Sequence, residues 1–233
     1  MKKTFLILEL VFVIVILGIL YTVFTPKLPN YKLDEVTNRV LIYLNYVRYK
    51  ALIDDKFETE VNEWFKGRWT MKFMRCREDK GGGIYFTIYS ETNDKGHTGQ
   101  EESLKDPLTN KYIFTSNYCE KNSKNSPFVL LKNYDIEDVQ VSCNTTTSIG
   151  QISFGVDGKV YTQLTSENLE LKKPCTIRFV SKTKEFRDIK IYPKTGYIEK
   201  IKKPLTDEIL FGKLKKGGVV KIDFKDDFVF IYE

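Results

Sequence analysis

Residues 5–26 read FLILELVFVIVILGILYTVFTP, from Phe5 to Pro26. The run up to Thr25 holds a single charged residue, Glu9, and Lys2 and Lys3 stand before it. At ~1.5 Å rise per residue, about 20 such residues reach across the ~30 Å apolar core of a bilayer. The stretch therefore predicts a helix over 5–25 that crosses a membrane once, stopped by Pro26. The two leading lysines place its start on the cytoplasmic side and everything after it outside. A cleaved secretory signal has a shorter apolar region followed by a small-x-small site, and the residues after this run offer none.

Working outward, PKLPNYK at 26–32 carries two prolines and marks a bend. Beyond it Val36, Val40, Leu41, Leu44, Val47, Ala51 and Leu52 recur at helical spacing, with Asp34 as a candidate cap. Residues 26–57 are thus expected to be the outer half of one long helix, packed on a globular part by its apolar stripe. From 58 to 233 aromatic and β-branched residues alternate with polar ones. Strands are expected at 68–76, 83–90, 110–116, 128–133, 139–143, 150–156, 158–164, 175–181, 187–193 and 197–202. Residues 221–233 read as a terminal hairpin or edge strand. The expected fold class is α+β, a long N-terminal helix followed by an antiparallel sheet domain.

The chain has 233 residues and a net charge of +6, from 37 basic and 31 acidic residues. That balance describes a mixed surface with local lysine clusters at Lys200, Lys202, Lys203 and at Lys213, Lys215, Lys216. The four cysteines, Cys76, Cys119, Cys143 and Cys175, form no close-spaced pair, and the chain has one histidine, His97. This argues against structural zinc. It fits two disulfides formed in an oxidising compartment, and proximity in sequence favours Cys76 with Cys119 and Cys143 with Cys175.

Glu9 is the residue that a plain anchor does not explain. A carboxylate inside a membrane helix costs a few kcal/mol unless it is paired, protonated or near the interface, and the run supplies no cation. With Phe5 four residues before it, Gly18 nine after it and Pro26 eight further on, the segment resembles the N-terminal motif of type IV pilins and type II secretion pseudopilins. The resemblance implies a four-residue leader, 1–4, removed by prepilin peptidase between Thr4 and Phe5, and N-methylation of Phe5. It also implies assembly into a filament through Glu9, Gly18 and Pro26, with Glu9 paired to the freed amine of a neighbouring subunit. Thr4 departs from the family, which normally has glycine there. GQISFGVDGKVY and IKIYPKTGYIEK, at 150–161 and 189–200, are similar to segments of the H-like minor pseudopilins. The implied role is a structural one in protein secretion. The implied partners are other pilin-like subunits, prepilin peptidase, an inner-membrane assembly platform and membrane lipid, in a single-pass protein with its body in the periplasm. The alternative is a minor pilin of a type IV pilus or DNA-uptake system, where the lysines would meet nucleic acid.

Little else points to chemistry. There is no GxSxG, HExxH or phosphate-loop pattern, so an enzyme is not expected. The stretch SETNDKGHTGQEESLKDP at 90–107 is rich in oxygen donors. Asn93, Asp94, Glu101, Glu102 and Asp106 are weak calcium candidates, without the spacing of an EF-hand. No other cofactor is expected.

Overall fold

The computed structural model describes residues 9–18, 31–57, 63–92, 99–143, 149–201, 220–224 and 228–232. The chain divides into two compact units, residues 1–31 and 32–233. In the first, residues 9–18 form a helix, α1.

The second unit begins within the first turn of α2, Tyr31–Ile53. Its buried positions Leu33, Val36, Val40, Tyr43, Leu44, Val47 and Ala51 fall at steps of one to four along one stripe, as a core-facing helix requires. Five of them are at most 1% exposed. The strands that follow are β1 Trp69–Arg75, β2 Ile84–Tyr89, β3 Ile136–Val141, β4 Gly150–Phe154 and β5 Val160–Tyr161. Then come β6 Cys175–Ser181, β7 Phe186–Ile191, β8 Ile198–Ile201, β9 Val220–Phe224 and β10 Phe228–Tyr232. They make one four-stranded sheet in the order β2-β1-β4-β5, a second in the order β3-β6-β7-β8, and the hairpin β9-β10. Every pairing is antiparallel.

The sheets and α2 share one core. Phe73 of β1 lies 6.1 Å, ring to ring, from both Phe86 of β2 and Phe179 of β6, so one side chain joins the two sheets. Tyr43 of α2 meets Phe86 at 5.8 Å. The outer edge of β2 is covered by irregular chain rather than left open: Leu104 N donates to Ile88 O, and Ile88 N to Ile113 O. The turns after β4 and β7 meet beneath the second half of α2. Gly196 has φ +60°, and a Cβ there would stand 2.8 Å from the Gly158 carbonyl oxygen. Glycine is required on both counts.

The expected fold class needs correction. The described chain is mostly β, built on two antiparallel sheets and a hairpin, with α1 and α2 as its described α-helices. Of the apolar run, residues 9–18 are described, and they are helical. The described part, α1, covers ten residues, about 15 Å by helical rise. Among the described residues no helix is long and apolar enough to cross a membrane. This overturns the expected single-pass, inner-membrane placement. Apolar length licenses a span only through a continuous helix of ~30 Å, and the long helix that is present, α2, owes its apolar stripe to the sheets it covers.

Three local readings also change. Residues 110–116 are irregular, with isolated bridges at Tyr112 and with Asn110 in the left-handed region at φ 55°. Residues 128–133 fold into two 3-10 turns, Pro127–Val129 and Leu131–Tyr134, because Pro127 removes a donor and fixes the local backbone. Asp34 sits inside the first turn of α2 rather than capping it.

Candidate functional site

The elements singled out from the sequence fall in several places. In unit 1, Glu9 and Gly18 are the first and last described residues, and both lie in the helical segment α1. Between them each apolar side chain from Leu10 to Leu17 is at least 41% exposed. A Cβ added at Gly18 would touch nothing within 4 Å. Thr4, Phe5 and Pro26 lie outside the described residues. The described part of unit 1 presents bare hydrocarbon around the helix from Leu10 to Leu17, with the Glu9 carboxylate next to it.

The cysteines are joined as Cys76–Cys119 and Cys143–Cys175. The first ties the chain just after β1 to the loop before the 3-10 turns. The second links the chain just after β3 to the start of β6, its neighbour in the sheet. Their sequence separations of 43 and 32 residues correspond, by loop-closure entropy, to roughly 3–4 kcal/mol each.

Among the described residues, the oxygen donors of the acidic loop, Glu101, Glu102 and Asp106, are not gathered at one point. Asn93, Asp94 and His97 lie outside the described residues. Glu102 accepts from the backbone N–H of Thr92 and of Gly99, at 2.7 and 2.8 Å, and so ties together the flanks of that stretch. Glu101 is exposed, whereas Asp106 is fully buried. Asp106 accepts from Tyr43 Oη at 2.9 Å, from Ser126 Oγ at 3.4 Å and from Leu108 N at 2.9 Å. Burial, and then the bond to the Asp106 carboxylate, push the Tyr43 phenol up to about 12. Among the described residues no three His, Cys, Asp or Glu side chains are grouped to hold a metal.

Of the lysine clusters, Lys200 is described, and its ammonium reaches inward. Lys200 Nζ donates to Asp34 Oδ1 at 2.8 Å and to Asn38 Oδ1 at 2.9 Å. Arg187 closes a fork on the same carboxylate, Nε at 2.9 Å and Nη2 at 3.1 Å. These bonds, that from Arg187 above all, hold the Asp34 carboxyl below its usual range against the opposing effect of burial. Asp34 thereby fastens the start of α2 to β7 and β8. Lys202, Lys203, Lys213, Lys215 and Lys216 lie outside the described residues.

One site was not anticipated. A cleft of about 420 Å³ opens where α2 ends, between the chain after it, the start of β1 and the β4–β5 turn. Arg68 lines it, 5% exposed, with its guanidinium carbon 3.6 Å from the Tyr161 ring and 4.8 Å from the Trp64 ring. Among the described residues its side chain makes one hydrogen bond, Nη1 to the Glu167 carbonyl at 3.2 Å, while the buried Nε has no acceptor. Burial lowers its pKa, against the pull of Tyr161, Asp157 and Glu167. Phe57, half exposed, packs edge-on against Trp64 at 5.0 Å. Lys159 Nζ lies between Asp157 at 3.3 Å and Glu170 at 3.5 Å. Asp54 accepts from Trp69 Nε1 at 2.8 Å and pairs with Lys56 at 2.9 Å. The only sequence sign of this site is that both tryptophans of the chain, Trp64 and Trp69, stand five residues apart.

No family model matches the chain, and no solved structure matches it. A stretch of 29 residues is 69% identical to part of a ClpA homolog protein from Fuscovulum blasticum. The match covers 12% of this chain and 4% of the length of that relative.

Proposed function

We propose that this chain is a structural subunit of a pilin-like filament, a minor pseudopilin of a type II secretion pseudopilus, with no catalytic role. In this reading prepilin peptidase cuts between Thr4 and Phe5, Phe5 is methylated, and the chain assembles through its N-terminal segment on an assembly platform. The observation that carries the reading is the exposed ridge from Leu10 to Leu17 headed by Glu9, on a fixed spacing with Phe5, Gly18 and Pro26. Apolar surface gains about 25 cal/mol per Å² when removed from water. Contiguous bare apolar side chains on a helix call for a partner surface, and other subunits bearing the same ridge supply one. Glu9 then needs a cation, and the α-amine freed at Phe5, with a reference pKa near 8, is charged at neutral pH.

The body supports a structural role by its build: two disulfides and a shared core hold a rigid β domain. The nucleic-acid alternative is not favoured at Lys200, whose ammonium is engaged by Asp34 and Asn38. Mass spectrometry of the mature protein tests the proposal. A methylated Phe5 at the N-terminus is the expected result, and an intact Met1 on the protein isolated from its source overturns it. Thr4→Gly should raise the processed fraction.

A further inference from the structure

We propose that the cleft at the end of α2 binds a neutral, polyhydroxylated ligand, a saccharide, against the wall formed by Phe57 and Trp64. The inference stands apart from the filament reading and uses none of its residues. The volume of about 420 Å³ is that of a small-ligand site.

The electrostatics of the lining narrow the class. Among the described residues, Asp54, Asp55, Asp157, Glu167 and Glu170 face it with Lys56, Lys159 and Arg68, five carboxylates against three cations. A free anion therefore meets a lining of its own sign. A free cation meets the Arg68 guanidinium, and the Trp64 and Tyr161 rings that would attract it are already engaged by that guanidinium. Arg68 is buried, its Nε lacks an acceptor, and it is held in the stack of rings. It serves as a plate that fixes those rings.

A neutral hydroxyl is what remains. It both donates and accepts, so one ligand hydroxyl can accept a hydrogen bond from Lys159 and donate one to Asp157 or Glu170. Those ion pairs, at 3.3 and 3.5 Å, are long enough to leave hydrogen-bonding capacity over. A neutral ligand also avoids the cost of stripping water from a charge. The C–H face of a sugar ring supplies the apolar side that the half-exposed Phe57 and the partly exposed Trp64 would cover.

Both tryptophans of the protein line this cleft, so tryptophan emission from the full chain reports on it. The probes are maltotriose, cellotriose, mannotriose and chitotriose as neutral ligands, with trigalacturonate and a glucosamine trimer as charged controls. The expected result is a saturable change with at least one neutral trisaccharide, at a Kd of about 0.1–1 mM, and weaker binding of both charged trimers. Phe57→Ala should weaken that binding about tenfold while leaving Tm within about 2 °C, since Phe57 lies outside the core. Lys159→Met should weaken it by a similar factor. The proposal is overturned if no neutral trisaccharide changes the emission up to ~20 mM. It is equally overturned if a charged trimer binds more tightly than every neutral one, or if Phe57→Ala binds as well as the unaltered chain.

Discussion

Two side chains show how single residues set the stability of the body. Tyr43 comes from α2 and Asp106 from a loop 63 residues away, and their bond at 2.9 Å is buried. Tyr43→Phe removes the donor and leaves a buried carboxylate with less compensation, so it should lower stability by about 1–3 kcal/mol in urea unfolding at pH 7. The phenol has a folded pKa raised to about 12 from 10. The protein therefore prefers the neutral form, a preference fully present below pH 10 and lost as pH rises towards 12. Tyr85, also pushed to about 12 by burial, adds to the same window. Unaltered protein should lose stability steeply from pH 10 to 12, and Tyr43→Phe should flatten the slope; an unchanged slope would refute the assignment. Asp34 works at the other end of the scale. Its pKa is lowered, chiefly by Arg187, so its contribution is present above the unfolded value near 4 and is lost as pH falls through the lower folded one. Its side chain is about a third exposed, which limits the effect by solvent screening. Asp34→Asn should cost about 1 kcal/mol at pH 7 and progressively less as pH falls below about 4, read as the pH dependence of the urea midpoint.

At the scale of elements, the contact between the turns and α2 gives the sharper test. Arg48 Nε of α2 donates to Thr195 O at 3.0 Å, and Gly196 follows in the left-handed region against the Gly158 carbonyl. Gly196→Ala would meet both backbone strain and a contact with an unyielding oxygen, so a loss of about 1–3 kcal/mol is expected by thermal unfolding. Gly82, also left-handed at φ +54° but with open space around it, should cost less on the same change, the strain alone. Such turns are legible in a sequence, since VDGK at 156–159 and PKTG at 193–196 are turn sequences in their own right. The strand Cys175–Ser181 was legible for a similar reason: its residues alternate buried and half-buried, so the period of two is written in the side chains. Residues 128–133 were not, because Val129, Leu130 and Leu131 are buried consecutively and a short apolar run does not distinguish strand from turn. The cleft and the Asp34 clamp were illegible on other grounds. The cleft draws on separate segments around residues 54–57, 64–69, 154–161 and 167–170, and Arg187 is 153 residues from Asp34.

For the whole molecule, the apolar N-terminal run misled as to fold class because hydropathy reports burial without saying what does the burying. In α2 the burying surface is the pair of sheets of the same chain. In α1 the apolar side chains are bare within this chain. That contrast makes assembly testable without disturbing the body, because the body has its own core within residues 32–233. All four cysteines are held in disulfides, so an added cysteine is the single free thiol of the protein. Val13→Cys places it in the middle of the exposed ridge, and oxidation should then give disulfide-linked dimers where ridges from two subunits meet. Adding Glu9→Leu makes the ridge more apolar. Simple hydrophobic clustering would therefore keep or increase the dimers, whereas a filament registered by Glu9 against the amine of Phe5 should lose most of them. The Tm of the body should stay within about 2 °C in both variants. Dimer yield that is unchanged or higher in the double variant would assign the ridge to unspecific association and remove Glu9 from the assembly contact.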